Sequence, residues 1–482
     1  MKLIPALIAA LFVAFNAHAA PLPSAFKQAL KQAGIPLDSV AIEVIGVGAR
    51  RPLVSLNARQ AMNPASTMKL LTTYAGLDLL GPAYTWKTEA YLDGELKDGV
   101  LHGNLVLKGY GDPKFTIEQF WLWLAELRAR GLREIHGNLM LDRSFFDLPP
   151  HDPAAFDNDP VRAYNVGPDA LLLNFNTLRL RYLPDGDKLN VITEPPLDGI
   201  RLDNRLTPEP AGGCDGWDDR VIVQPSGDSV VLNGGYPGDC GEREHNLSVM
   251  PHTRYVEAVF RALWKELGGT LQGELREGAA GDHAKLFSTH HSDPLSAIIR
   301  DINKFSNNVM ARQLFLTLGA TAFTPSPLAG EGGGEKAKKE ATFANIERSV
   351  QAVTGWLKNQ QLDFPELVLE NGAGLSRTER ISAAHLAQLL QHAAVHPLSA
   401  EFEASLPILG VDGSVKKRLK ESSAASHAHL KTGTLEGVKT IAGYVRSQSG
   451  KEWVVVFFIN HPNAKYGQDA QDALIEWVQA QR

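Results

Sequence analysis

Cysteine is nearly absent: 482 residues carry only Cys214 and Cys240. No histidine sits at ligand spacing from either, which argues against a metal site. Long basic runs are absent and the net charge is only −6, so nothing in the charge pattern points to nucleic acid. The body of the chain has no uninterrupted apolar stretch long enough to span a bilayer. What is present is an apolar fraction of 44%, enough to build real cores, which excludes a disordered chain. The length implies about two to four domains.

The N-terminus has the pattern of a secretory signal peptide. Met1-Lys2 is a short basic start, Leu3 to Phe15 is a compact apolar run, and Ala17-His18-Ala19 is a small-x-small cleavage site. Residues 1–19 are therefore expected to be removed, and the mature chain is expected in the periplasm. No cysteine follows the cleavage site, which argues against a lipoprotein. In an oxidising compartment an isolated cysteine pair is expected to be bridged. Cys214–Cys240 would close a Gly-, Asp- and Pro-rich region in a structural role.

Along the chain, Ala41–Val47 and Pro52–Leu56 read as a strand pair around Gly48. A helix follows, with Met68, Leu71, Ala75 and Leu79 on one stripe. Residues 88–110 alternate as strands. Thr116 and Gln119 form a capping box ahead of a helix with Phe120, Trp121, Leu124 and Leu127 inward, and Trp121 and Trp123 are read as packing. Residues 176–247 are short strands split by Pro, Gly and Asp, a small β-rich unit. Thr253–Leu267 is an amphipathic helix. From Ser292 the pattern is helical, interrupted at 324–340 by a Gly- and Lys-rich stretch that reads as a flexible loop insertion. Strands return at Leu430–Thr434, Thr440–Val445 and Trp453–Ile459, and a last helix runs over Ala470–Val478. Strands near both ends imply one discontinuous domain with the middle inserted.

Ser-x-x-Lys occurs three times, at Ser24, Ser66 and Ser414. Ser24 lies near the mature terminus, and Ser414 lies in a turn leading into a basic stretch. Only Ser66 opens a long apolar-periodic helix. Residues three apart share a helix face, so Lys69 can reach the Ser66 hydroxyl. A serine is a weak nucleophile without an adjacent base, and a lysine serves if its charge is suppressed. Ser306-Asn307-Asn308 stands at the head of another helix; a second Ser-x-Asn, at Ser55–Asn57, reads as a turn. Lys431-Thr432-Gly433 occurs once, where a lysine and a threonine can hold a carboxylate and a glycine leaves room for substrate.

The ordered set Ser66-x-x-Lys69, Ser306-x-Asn308, Lys431-Thr-Gly is that of penicillin-binding proteins and serine β-lactamases. With Lys108–Pro113, Glu370–Arg377 and Leu409–Ser414, the chain resembles the three-domain, low-molecular-mass serine D-alanyl-D-alanine carboxypeptidase/endopeptidase family over essentially its whole mature length. Two departures stand out: Ser-Asn-Asn where many relatives have Ser-Asp-Asn, and Gly372-Ala-Gly374 where they have Gly-Ser-Gly. The resemblance implies an α/β (α+β) fold. A penicillin-binding domain with an antiparallel sheet flanked by helices (20–87 and 284–482) would carry an inserted α+β domain (88–175 and 248–283) and an inserted β-rich domain (176–247).

The resemblance also implies chemistry. Ser66 would attack the penultimate D-Ala carbonyl of peptidoglycan stem peptides, with Lys69 as base and Lys431 lowering the Lys69 pKa by repulsion. Ser306 would relay the proton, Asn308 would hold the substrate amide and Lys69, and the Ser66 and Thr434 N–H groups would form the oxyanion hole. Thr432 and Thr434 would bind the substrate carboxylate beside Lys431, with Gly433 leaving room for the substrate against the strand edge. Asp159, with Tyr164, would meet the diaminopimelate amine, and Arg377 its carboxylate. β-Lactams would inhibit. No metal or organic cofactor is expected. Peripheral membrane association, oligomeric state and the balance of carboxypeptidase against endopeptidase stay open at this point. A serine β-lactamase is disfavoured by the long insert and the lack of a deacylating Glu motif. A non-catalytic sensor of cell-wall peptides is disfavoured because pure binding needs no such Ser, Lys, Lys set.

Overall fold

The run Trp453–Ile459 has no polar residue, which a strand can carry only if both of its faces are covered. The computed structural model, which describes residues 22–209, 213–321 and 343–482, covers both. The expected signal segment 1–19 and the insert 324–340 lie outside the described residues. The strand Glu452–Asn460 is central in a five-stranded antiparallel sheet ordered Ala428–Leu435, Val438–Arg446, Glu452–Asn460, Val40–Gly46 and Val54–Leu56. Its alternate residues feed two cores, as the period of two requires. Val454, Val456 and Phe458 pack with helices Lys69–Leu80, Leu295–Phe305, Asn308–Thr321, Ile346–Asn359 and Ala383–Ala394. Val455, Phe457 and Ile459 face the terminal helices Ser24–Gln32 and Gln468–Gln479. Each such side chain contributes about 1.5–3 kcal/mol by burial. The sheet therefore joins the two ends of the chain, as the strand pattern implied.

One helix departs from its expected stripe. Every residue from Lys69 to Leu77 is buried, whereas Leu79 is 41% exposed. The helix is surrounded by its neighbours rather than laid on a surface, so one-sided periodicity cannot describe it. That enclosure is what puts the Lys69 side chain out of water.

A second sheet is built on the hairpin Lys87–Lys97 and Val100–Gly109. Strand Lys285–His291 pairs with Lys87–Lys97, so it belongs to this sheet although it follows residue 284. Helices Ile117–Ala129 and His252–Glu266 share this sheet's core. The Thr116/Gln119 capping box is present. Trp123 is buried with Phe120, but Trp121 is 37% exposed, so only one of the two tryptophans packs inward. The residues between form the β-rich unit. It has a three-stranded sheet (Arg243–Leu247, Leu178–Asp185, Lys188–Glu194) and a four-stranded one around Ser229–Pro237, packed through Leu180, Tyr182, Leu232 and Tyr236. The Cys214–Cys240 disulfide lies here.

Candidate active site

Asn63 fixes the turn into Ser66. Its Oδ1 accepts the Ala65 N–H at 2.8 Å, its Nδ2 donates to the Ser376 carbonyl at 2.8 Å, and its own N–H donates to Asn460 Oδ1 at 2.8 Å. Ala65 adopts φ +45°, a left-handed conformation costly for a residue with a Cβ and found where surrounding structure enforces it. The 3-10 turn Ala65–Met68 then leads into the helix Lys69–Leu80. Ser66 thus sits in a tight turn just ahead of the α-helix rather than inside it.

Lys69 is fully buried, and its Nζ has three oxygen neighbours: Ser66 Oγ at 2.9 Å, Asn308 Oδ1 at 2.7 Å and the Ala373 carbonyl at 2.5 Å. A carbonyl-type oxygen can only accept a hydrogen bond. A neutral amine would therefore use its two N–H groups on Asn308 and Ala373 and present its lone pair to the Ser66 O–H. Burial pushes the Lys69 ammonium well below the ordinary lysine range. The nearby Lys431 charge and Arg312 push the same way, against the attraction of Glu379. Desolvation thus outweighs the like-charge effect expected from the sequence.

Ser306 does not begin a helix. It lies between Leu295–Phe305 and Asn308–Thr321 with φ +57°. Asn307 Oδ1 accepts the Met310 N–H at 3.0 Å and so caps the second helix, as an N-cap residue does, which leaves Asn308 to reach Lys69. Lys431 Nζ donates to Ser306 Oγ at 2.7 Å and to the Thr432 carbonyl at 2.7 Å. Burial lowers the Lys431 pKa to about 7. Gly433 lies so close to the Ser66 turn that a Cβ there would stand 2.7 Å from the Ser66 nitrogen. Thr432 is partly exposed and Thr434 is exposed on the same strand.

The depressed Lys431 pKa has a measurable cost. The folded side chain releases its proton near 7, the unfolded one near 10.4, so over that window the unfolded chain binds more protons and wild-type stability rises with pH. Lys431→Met has no such group. It is expected to be more resistant to urea than wild type at neutral pH, with the advantage shrinking towards about pH 10. A difference that stays constant across that range would contradict the burial argument.

Glu379 and Thr440 belong to no motif of the sequence, and Gly374 and Ser414, which fall inside motifs of the resemblance, make contacts that spacing does not announce. Glu379 is fully buried, and its Oε1 accepts the N–H groups of Glu370, Asn371 and Gly372 at 2.9–3.0 Å. It thereby holds the loop whose Ala373 carbonyl meets Lys69. Gly374, at φ +75°, approaches the Ala65 carbonyl so closely that a Cβ would lie 1.9 Å from it. Thr440 Oγ1 donates to the Pro64 carbonyl at 2.7 Å and ties the sheet to the serine turn. Ser414, set aside as a surplus Ser-x-x-Lys, stands 2.7 Å from Thr432 Oγ1. Asp412, accepting from Lys304 Nζ at 2.6 Å and from the Ile408 N–H at 2.8 Å, holds that loop. No pattern of spacing in the sequence marks Glu379 or Thr440; Thr440 meets the Pro64 carbonyl only because the folded sheet brings them together.

The outlying candidates are also placed. Asp159 is not free: Arg162 Nε donates to its Oδ2 at 2.7 Å. The Tyr164 hydroxyl donates to Asp157 at 2.7 Å, while the Tyr164 carbonyl faces Asn308 Nδ2 at 3.4 Å. Arg377 lies over the Phe156 ring at 4.5 Å, and its Nη1 donates to the Glu436 carbonyl at 3.4 Å, just past the end of the Lys431-Thr-Gly strand. Among the described residues, the one group of candidate metal ligands is Cys214, Asp239 and Cys240, whose thiols are joined in the disulfide. No helix among them is long and apolar enough to cross a membrane.

Comparison with known proteins converges on one family. The profile of the D-Ala-D-Ala carboxypeptidase 3 (S13) family matches residues 22–481. The chain is 27% identical over 433 residues to a D-alanyl-D-alanine carboxypeptidase of Actinomadura sp. strain R39, covering 85% of this chain and 76% of that protein. It is 24% identical over 420 residues to the D-alanyl-D-alanine carboxypeptidase DacB of Haemophilus influenzae, covering 85% and 82%. The crystal structure of penicillin binding protein 4 from Haemophilus influenzae superposes with a TM-score of 0.75 at 22% identity, over 93% of this chain and 99% of that one, so the two share a fold.

Proposed function

Because the chain belongs to the D-Ala-D-Ala carboxypeptidase 3 (S13) family, we propose that it is a serine DD-peptidase acting through a Ser66 acyl-enzyme. It removes terminal D-alanine from peptidoglycan stem peptides and cuts D-alanyl–diaminopimelate cross-links. The observation that carries this reading is the trio of oxygens around Lys69 Nζ, which leaves the buried amine, once deprotonated, one lone pair aimed at Ser66 Oγ.

Lys69 takes the Ser66 proton as Oγ attacks the penultimate D-Ala carbonyl. The Ser66 and Thr434 N–H groups receive the oxyanion, and one such donor is worth about 3–4 kcal/mol in the transition state. As the C–N bond breaks, Ser306, held by Lys431, passes the proton to the leaving amine. Thr432 and Thr434 bind the substrate carboxylate beside Lys431 and Gly433, and Ser414 steadies Thr432. Asn308 holds both Lys69 and the substrate amide. Water then frees the acyl group. In a β-lactam the leaving nitrogen stays tethered and obstructs that water, so the ester persists and the antibiotic inhibits. The enzyme works in the periplasm after removal of 1–19, with the penicillin-binding domain carrying the two inserted domains.

Arg377, held against Phe156 and Glu436, binds the diaminopimelate carboxylate, and Asp159 exchanges Arg162 for the diaminopimelate amine. Asp159→Asn is therefore expected to lower kcat/KM about tenfold on diaminopimelate-containing peptides and to leave a simple D-Ala-D-Ala ester almost unaffected. Equal losses on the two substrates would refute the role. The function as a whole is tested by incubating purified protein with pentapeptide muropeptides and cross-linked dimers. Release of D-alanine and of monomers, both blocked by penicillin, is the expected result; intact substrates after prolonged incubation would overturn it.

A further inference from the structure

A groove of about 630 Å³ opens beside Ser306 and Asn308 and runs out to the β-rich unit. We propose that it holds the second stem peptide of a cross-linked dimer, the part that departs with the amine. The inference rests on the acyl-enzyme reading above and adds where the leaving strand lies. Hydrolysis of the cross-link breaks the bond between the D-Ala carbonyl carbon and the diaminopimelate nitrogen. Oγ of Ser66 takes the carbonyl, and the nitrogen leaves as an amine with the proton relayed through Ser306. Whatever hangs on that nitrogen must therefore extend past Ser306. A free D-alanine fills only a small part of the groove, whose size is that of a site for a much larger ligand.

The walls suit such a peptide. On one side, Phe305 immediately before Ser306 is 73% exposed, an apolar surface for an alkyl chain at the mouth of the groove. Opposite, Arg179 pairs across the ladders with Glu194 and with Asn246, and all three line the groove. Arg179 and Glu194 are 3.4 Å apart and exposed, an ion pair worth little in water and readily exchanged for ligand charges. A stem peptide carries carboxylates for Arg179 and an amine for Glu194. The groove is also lined by Asn174 and Phe175, part of a run of three consecutive left-handed residues with Asn176 (φ +47°, +57° and +51°). Such backbone strain persists where surrounding structure enforces it and clusters at ligand clamps. Here Asn174 Nδ2 donates to Tyr255 Oη at 3.0 Å and Asn176 Nδ2 to the Met250 carbonyl at 2.9 Å. The β-rich unit, which contributes no side chain to the Lys69 cluster, thereby gains a role: it lends a wall to the site.

Arg179→Glu reverses the charge of that wall and Asn246→Trp fills it, and both side chains are exposed, so neither change disturbs a core. Each variant is assayed on a cross-linked muropeptide dimer, on an uncross-linked pentapeptide and for acylation by penicillin. The expected result is a fall of about tenfold or more in kcat/KM on the dimer, with pentapeptide hydrolysis and acylation within about twofold of wild type. Dimer cleavage unchanged in both variants, or falling in parallel with pentapeptide hydrolysis, would overturn the inference while leaving the acyl-enzyme reading intact. A wild-type protein that penicillin cannot acylate would sink that reading and this inference with it.

Discussion

Ser66→Ala is expected to lower D-alanine release by on the order of 10⁴- to 10⁶-fold, the size of loss seen when a serine nucleophile is removed from a hydrolase that keeps its oxyanion hole. The methyl group fits the same turn, because that turn is held by other groups: Asn63 on the Ala65 N–H, Thr440 on the Pro64 carbonyl and Thr67 Oγ1 on the same carbonyl at 2.7 Å. Folding should be intact, and the variant should still bind substrate peptides without turning them over. The check is steady-state hydrolysis of a pentapeptide beside a thermal melt. A well-folded Ser66→Ala protein within tenfold of wild-type activity would mean that another group is the nucleophile.

Lys69→Arg is expected to cost about 10³-fold, within the range for loss of a positioned base. Arginine keeps the positive charge but does not release its proton in proteins, so it can offer no lone pair to Ser66. Its larger head must also fit where Nζ now lies within 2.5–2.9 Å of three oxygens. The pH profile separates this from simple misfit. In wild type, burial holds the Lys69 ammonium well below its ordinary value of 10.5, which favours release of its proton. Activity is therefore expected to fall only as the pH drops through that lowered value and protonates the base. Lys69→Arg should show no recovery up to about pH 10, where even an ordinary lysine begins to lose its proton. Recovery at high pH would point to a different base, and a wild-type acid limb at the ordinary lysine pKa would remove the case for a neutral Lys69.

The site was legible in the sequence wherever chemistry is carried by close spacing. Lys69 three residues after Ser66, Asn308 two after Ser306, and the Lys431-Thr-Gly run all meet at Lys69 and Lys431, brought there by a 3-10 turn, the left-handed link at Ser306 and a strand. The run Trp453–Ile459 was likewise legible as a strand, while its burial on both faces is shown by the structure. Legibility failed where a fold-wide environment decides. Glu379 looks like an ordinary charged residue in Arg377-Thr-Glu-Arg380, yet it is enclosed under three backbone N–H groups of its own loop. Leu79 matched the apolar stripe but lies past the enclosed part of its helix. Asp159 was matched to a ligand amine without regard to Arg162, three residues on, which occupies it in the free protein. The lowering of the Lys69 pKa was also out of reach, because burial depends on the whole fold and the nearby Arg312 charge belongs to no motif.

The central claim is that Ser66 is the residue that takes the acyl group. Intact mass spectrometry of the purified protein after incubation with benzylpenicillin, followed by peptide mapping, tests it most directly. The account predicts one stable adduct equal in mass to the whole antibiotic, carried on Ser66 and absent from Ser66→Ala. An unmodified protein, or an adduct on Ser414, Ser24 or any other residue, would contradict it.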